Sequence, residues 1–371
     1  MMTETKPAAA KLRFSTGARE AQTQVFYQQA QQLATSATTL PLCEIPPGNW
    51  LAEASLLFVV AATGNVATVA LQADAPWSLL QEVAWLDAAG NSIHSVTGYD
   101  LYLINLLGGF AFSTDPTASP FYSALTTGVG GGTGGSGQFL LHVPIEIIQR
   151  DGIGVYPNGG SNATTRLRII LAPSTAVYST APTTLPTVTV YAVARGYQLP
   201  AVDSPAGNAY ATEPPGVGTF QQWSRIAYDF AAGDRTIAFQ RKGQWYRTLI
   251  FVFRDSTGAR SNSMLSSTQL GNFRVDIDGV SMLNGPYGYL RDQMWRRQQI
   301  AAANLPTGVL QLSMAHEWDG KVGGEMRDGW VYTAPGTIAQ AVGNFAATGT
   351  LTVITNEIVV DPETRAEIVR A

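Results

Sequence analysis

Apolar and polar residues take turns, one by one, along much of this chain. Leu167, Ile169 and Leu171 alternate with Arg166, Arg168 and Ile170, and Val188, Val190, Ala192 and Ala194 alternate with Thr189, Tyr191 and Arg195. Phe273, Val275 and Ile277 keep the same period against Arg274, Asp276 and Asp278, as do Leu310, Leu312 and Met314 against Gln311 and Ser313, and Leu351 and Val353 near the end. A period of two puts every second side chain on one face of an extended strand, so each run predicts a strand with one buried face. The segment WYRTLIFVFR, Trp245 to Arg254, becomes apolar on both faces toward its end and predicts a strand in the middle of a sheet. One stretch departs from this texture. In GAREAQTQVFYQQAQQLAT, residues 17–35, there is no proline or internal glycine, and Ala18, Ala21, Val25, Gln29 and Leu33 fall near helical spacing, which predicts an N-terminal helix with a narrow apolar stripe.

Between Gln198 and Gly218 the chain reads QLPAVDSPAGNAYATEPPGVG, a density of proline and glycine that no strand or helix interior tolerates. The predicted organisation is a helical arm over residues 1–38, a first β domain over 39–200, a linker over 201–219 and a second β domain over 220–371. The two β regions share an order of elements. EVAWLDAAGNSIHSVTGYDLYLINLL and FRVDIDGVSMLNGPYGYLRDQMWRRQQIAAA each run from an alternating segment through an Asp-turn-Gly to a Gly-Tyr that opens a helix. Another alternating strand comes after each helix, FLLHV in one half and GVLQLSM in the other.

The first half is longer between its helix and that strand, and the extra residues include TTGVGGGTGGSGQF, Thr126 to Phe139. Gly130 to Gly135 fits G-x-G-x-x-G, the spacing of a dinucleotide turn. A phosphate cradle needs a strand before it and a helix after it, since the helix's first N–H groups hold the anion. Here a segment broken by Pro116 and Pro120 precedes, a strand comes after, and no Lys-Ser or Lys-Thr pair is present. The glycines are therefore expected to be an insertion in a surface loop, where each doubling of length costs only about 0.6 kcal/mol.

Length and composition sharpen the picture. A chain of 371 residues suits two domains, each able to bury a core without staples. Charged residues are only 13%, about half the usual share, which suits a surface in extensive contact with other protein. The net charge of −4 and the lack of a basic cluster argue against a dedicated nucleic-acid binder. Cys43 is the single cysteine, so no internal disulfide forms. The start, MMTETKPAAAKLRF, has no apolar signal core, and the longest apolar run, Ala54 to Ala62, is half a membrane span.

Candidate chemistry is sparse. His94, His142 and His316 sit in no zinc-binding spacing, and no G-x-S-x-G elbow supports a Ser-His-Asp assembly, although such assemblies can form from any spacing. Asp276 and Asp278 read as a strand running into its turn rather than a Ca²⁺ or catalytic pair. Arg291, Arg296 and Arg297 read as a solvated or inter-subunit helix face, with Leu290 and Met294 toward the core. In the arm, Lys6, Lys11, Arg13 and Arg19 outnumber Glu4 and Glu20, with Phe14, Phe26 and Tyr27 interleaved, which suits an anionic lipid surface or a neighbouring chain. A basic residue near such lipid is worth about 1 kcal/mol, so only many copies in an array make the attraction count. No residue is assigned to catalysis, a cofactor or a metal.

The order of elements resembles that of the double jelly-roll major capsid proteins of tectiviruses, tailless icosahedral phages with an internal membrane. The likeness is carried by SLLQEVAWLDAAGNSIHSVTGYDLYLINLLGG (Ser78 to Gly109), by YRTLIFVFRDSTG (Tyr246 to Gly258) and by WRRQQIAAANLPTGVLQLSM (Trp295 to Met314). The glycine-rich insertion is a departure from it. The resemblance implies an all-β fold of two tandem eight-stranded jelly rolls with short helices in loops and an N-terminal helical arm. It implies a non-enzymatic homotrimer presenting six jelly rolls, a pseudo-hexagonal capsomer of an icosahedral virion shell over an internal membrane, made in the host cytoplasm. Its implied partners are sister chains, neighbouring capsomers, minor capsid or vertex proteins, and the viral membrane through the arm, at Lys6, Lys11, Arg13, Phe14, Arg19 and Phe26; packaged nucleic acid is not touched directly. The alternative is a phage receptor-binding or glycan-binding β protein using Trp223, Trp245 and Trp330 as sugar platforms. A β-sandwich hydrolase with converging carboxylates is a third class.

Overall fold

The computed structural model describes residues 11–48, 50–63, 69–108, 136–148, 152–159, 164–199, 209–265, 272–298, 300, 305–314 and 329–360. The first half holds β1 (Arg19–Gln22), β2 (Tyr27–Gln32), β3 (Thr38–Thr39), β4 (Cys43–Glu44), β5 (Trp50–Thr63), β6 (Ala70–Leu71), β7 (Leu80–Leu86), β8 (Ser92–Val96), β9 (Ser136–Pro144), β10 (Tyr156–Pro157), β11 (Arg166–Leu171), β12 (Tyr178–Thr180) and β13 (Thr184–Gln198). The second holds β14 (Phe220–Phe230), β15 (Gly233–Ala238), β16 (Trp245–Asp255), β17 (Asn272–Ile277), β18 (Val280–Pro286), β19 (Val309–Ser313), β20 (Val331–Tyr332), β21 (Ala339–Phe345) and β22 (Gly349–Val359). The α-helices are α1 (Phe14–Gly17), α2 (Gly98–Leu107), α3 (Ser174–Val177) and α4 (Tyr287–Gln298).

Each half is a sandwich of two antiparallel sheets. In the first, β2-β13-β5-β9 faces β3/β4-β11-β7-β8; in the second, β14-β22-β16-β19 faces β15-β21-β17-β18. Counting the main strands of each half in order, with β3 and β4 as one interrupted strand, both halves read 1-8-3-6 in one sheet and 2-7-4-5 in the other. That is the connectivity of a jelly roll, present twice. Alternation supplies the cores. Leu56, Phe58 and Val60 of β5 face inward with Val188 and Val190 of β13, while Ser55, Leu57 and Val59 point outward. In the second sandwich Phe251 and Phe253 pack against Phe273 at 5.2 and 5.3 Å between ring centroids.

The paired unit of strand, turn and helix recurs as expected from the sequence. The Asp-turn-Gly of the second half is a two-residue hairpin in which Asp278 and Gly279 both take positive φ, 49° and 80°. The Asp278 carboxylate accepts from the Ile338 and Thr337 donors, and Asp276 pairs with Arg274 at 2.8 Å, so the two aspartates serve separate structural bonds. Helix α2 begins on a capping box, Thr97 and Asp100 each accepting from the other's backbone N–H. It lies along the edge strand β9, where the Asn105 side chain donates to the His142 carbonyl and accepts from its N–H at 2.7 and 2.8 Å. Helix α4 holds the matching place beside β19, with Gln298 donating to Gln311 at 2.8 Å. The glycine-rich residues 128–135 lie outside the described residues; the next element along the chain is strand β9, not a helix.

The N-terminal helix is a misprediction. Residues 17–35 form β1 and β2, both antiparallel to β13, and the helix nearest the arm is the single turn α1. The narrow stripe of Ala18, Ala21 and Val25 offers a helix little to bury, whereas the open edge of β13 offers a full ladder of backbone bonds. Paired there, Phe26 and Tyr27 pack on the first core and Leu33 is buried. Tertiary pairing overrides a weak local preference. The first sandwich therefore starts at Arg19, not at residue 39.

The two sandwiches are fused. Trp223, Ile250, Val252, Val309 and Ile354 lie on the outer face of β14-β22-β16-β19, yet belong to the same buried cluster as Leu103 and Leu107 of α2. Around this seam Asp74 pairs with Arg254 and Arg260, each at 2.7 Å, and both guanidinium groups lie over the Tyr99 ring, at 5.6 and 4.7 Å. Arg225 reaches Asp100 at 3.0 Å. Removing the Asp74 carboxylate leaves two largely buried guanidinium groups facing each other. Asp74→Ala is expected to lose about 1–3 kcal/mol of unfolding free energy in a urea titration, more than an exposed pair would cost.

Candidate functional site

The outer face of β2-β13-β5-β9 is left unused by the first sandwich's own core. Its cross-strand rows, read from register, are Gln32, Thr187 and Ala61; then Ala30, Thr189, Val59 and Gln138; then Gln28, Tyr191, Leu57 and Leu140; then Val193, Ser55 and His142. None of the acidic residues, lysines or arginines falls in these rows. Leu57, Val59, Tyr191 and Val193 are partly exposed and Leu140 is 42% exposed. Such a face is smooth, weakly polar and four strands wide, suited to contact with protein rather than to holding a small molecule.

One end of this face carries a polar knot. Glu53 accepts from Ser55 Oγ and from His142 Nδ1, both at 2.7 Å, and Arg195 reaches Glu53, Glu146 and Glu20 at 3.3, 3.3 and 3.2 Å. Tyr197 donates to Glu146 at 2.9 Å. Serine, histidine and a carboxylate thus meet without any sequence motif announcing them. The geometry is not that of a nucleophile relay, in which serine and acid sit on opposite ring nitrogens. Here Ser55 Oγ, at 3.0 Å, and Glu53 approach the same Nδ1, and the Ser55 hydroxyl donates to Glu53. Burial pulls the Glu53 carboxyl up, but the His142 and Ser55 hydrogen bonds and Arg195 outweigh it and bring it down to about 2.

The six arm residues come apart. Lys6 lies outside the described residues, while Lys11, Arg13 and Arg19 are exposed. Phe14 is only 2% exposed, edge-on to Trp50 and Tyr197 with ring centroids 6.2 and 6.1 Å away, so it is an internal anchor and is withdrawn from any lipid or inter-chain contact. Phe26 is half-buried against the first core. Leu12 forms a parallel bridge with Tyr210, its N–H donating to the Ala209 carbonyl at 2.8 Å. No local signal distinguished Phe14 from an exposed aromatic, because its partners come from distant strands. Of the tryptophans expected as sugar platforms, Trp223 and Trp330 are buried at 1% and 3% exposure and present no ring face to a sugar, while Trp245 is half-buried beside Tyr332, ring centroids 5.2 Å apart.

A cavity of about 420 Å³ at the seam is lined by Asp74, Tyr99, Asp100, Arg225 and Arg254, whose charges pair with one another. Among the described residues no group of three His, Cys, Asp or Glu side chains is placed to hold a metal ion.

No family model matches the chain, and no curated protein does. Solved structures do. The chain is similar to the STIV MCP, from the Sulfolobus turreted icosahedral virus, with 12% identity and a TM-score of 0.67 over 94% of this chain and 98% of that one. It is similar to the PBCV-1 virus capsid, with 14% identity, a TM-score of 0.58 and 92% and 94% covered. It is also similar to the major capsid protein of bacteriophage PM2, with 10% identity, a TM-score of 0.52 and 92% and 98% covered. At these identities the likeness establishes the fold, and the fold is the double jelly roll.

The polar knot yields a pH prediction. Burial pushes Glu146 up to about 7, against the opposing pull of Arg195 and Tyr197. Its folded value lies above the ordinary carboxylate range near ~4.3, so the native state keeps a proton that the unfolded chain releases. That contribution is whole below about pH 4 and is lost as pH rises toward about 7. Glu146→Gln should flatten this fall: urea unfolding at pH 5 and pH 8 should show the variant losing about 1–3 kcal/mol less than the parent between the two.

Proposed function

We propose that the chain is a major capsid protein, that three copies form a pseudo-hexagonal capsomer, and that these capsomers tile the icosahedral shell of a tailless, tectivirus-like phage over an internal membrane. The observation that carries this is the repeated strand order, 1-8-3-6 and 2-7-4-5, in two fused sandwiches that match capsid chains over nearly their whole length. Three chains of two similar sandwiches give six similar walls, so a molecule with three-fold symmetry fits a six-neighbour lattice position. The outer face of β2-β13-β5-β9, uncharged except at the end that holds Glu53 and Arg195, and the low share of charged residues, 13%, favour a chain whose work is contact area rather than catalysis.

In this arrangement the strands stand roughly normal to the shell and the longer loops face outward. Exposed on the arm, Lys11, Arg13 and Arg19 meet an underlying membrane or a neighbouring capsomer. Minor capsid or vertex proteins occupy the positions that six-fold packing cannot fill. Native mass measurement of the purified chain should give three chains per particle, and electron microscopy should show pseudo-hexagonal capsomers; a stable monomer at micromolar concentration would refute the assignment.

A further inference from the structure

The two halves share one plan, yet their equivalent parts are unequally covered. Helix α2 lies along β9 and presses its other side onto the outer face of β14-β22-β16-β19, so all 10 of its residues are buried. Helix α4 holds the same place along β19 but buries only part of its surface: Leu290, Met294 and Gln298 face in, while Tyr289, Asp292 and Arg296 are exposed. A Gly-Tyr in the first turn of each helix makes the contrast sharp. Tyr99 is 4% exposed beneath two guanidinium groups, and its counterpart Tyr289 is 54% exposed. A Cβ on Gly98 would clash with the Trp77 carbonyl oxygen, whereas a Cβ on Gly288 would meet nothing within 4 Å. The sheets mirror this difference. The outer face of the second sandwich's larger sheet is covered by α2 and β8, whereas among the described residues the equivalent face of the first sandwich stays exposed or half-exposed.

We propose, on the premise that the chain assembles with itself as above, that α4 of one copy docks on the outer face of β2-β13-β5-β9 of a second copy. The contact between chains then repeats the one that α2 makes with the second sandwich within the chain. Among the described residues the chain carries one filled pair, helix on sheet, and one half-exposed helix and one open sheet face of the same two kinds. A bare helix and a bare face on different parts of one molecule make a head-to-tail contact, which must either close into a ring or run on as a filament. Tyr289 is the anchor, an aromatic residue set against the uncharged centre formed by Leu57, Leu140, Tyr191 and Val193.

The test uses the full chain and two surface substitutions, Leu140→Glu on the sheet and Tyr289→Glu on the helix. Both side chains are exposed in the single chain, so circular dichroism and the thermal midpoint should report folded protein. Native mass titration should show association weakened roughly tenfold or more by each. A labelling measurement stands beside it, in case a charge disturbs folding. Cys43 is fully buried, with its thiol pushed up to about 12 by burial, so it stays silent toward a maleimide. Leu140→Cys and Tyr289→Cys should each label roughly tenfold or more slowly in the assembled particle than after dissociation. If both glutamate variants assemble like the parent, or both cysteines label at the same rate in either state, the contact is wrong while the capsomer stands. If the parent itself never associates, the capsomer falls and the contact with it.

Discussion

Everything in this molecule hangs on one buried contact, the helix α2 wedged between two sandwiches. It closes the open edge of β9 with Asn105, it supplies Leu103 and Leu107 to a core that continues into Ile250, Val252 and Ile354, and it carries Tyr99 to the seam. A helix buried on all sides cannot be amphipathic, and GYDLYLINLL is accordingly apolar nearly all round. Two of its polar groups have a local duty: Asp100 caps the first turn and meets Arg225, and Asn105 serves β9. The consequence is that neither sandwich has a complete outer wall without the other. Two β domains joined only by a proline-rich linker would rock, and these are joined by a buried apolar seam that continues the first core while the second keeps a core of its own.

That asymmetry explains why two halves with one strand order have such different textures. The second sandwich gives its outer sheet face to the interior, so β22 is buried along almost its full length. The first sandwich keeps its corresponding face outside, and β13 alternates strictly between buried and half-exposed positions over most of its length. Duplication of a fold thus leaves different sequences wherever the copies have different neighbours. Helix α4 has kept the position of α2 but not its apolar character, because part of its surface meets water within the single chain.

Much of this was legible in the residues, and the reasons are local. Alternation marked the strands of both cores, the Asp-Gly of the second half marked a hairpin that needs positive φ at both positions, and Gly-Tyr marked the helix starts. Phe14 and the strands β1 and β2 were not legible. A run of glutamines and alanines carries little β signal of its own, and what makes it a strand is the vacant edge of β13, more than a hundred residues away in sequence. Phe14 is buried for a similar reason, since Trp50 and Tyr197 build its pocket from two other elements. The meeting of Ser55, His142 and Glu53 has no spacing to betray it, because it arises from the register of β5 against β9.

The bridge between Leu12 and Tyr210 carries a mechanical meaning. With Phe14 seated beside it, the chain's leading segment is stitched to the residues that lead into β14. A pull applied upstream of Lys11 is therefore delivered to the segment that leads into β14 instead of being absorbed by slack. If the chain tiles a closed shell as proposed, tension from beneath would be felt first where the tile is joined to itself, and the leading segment would work less like a mooring rope than like a rivet.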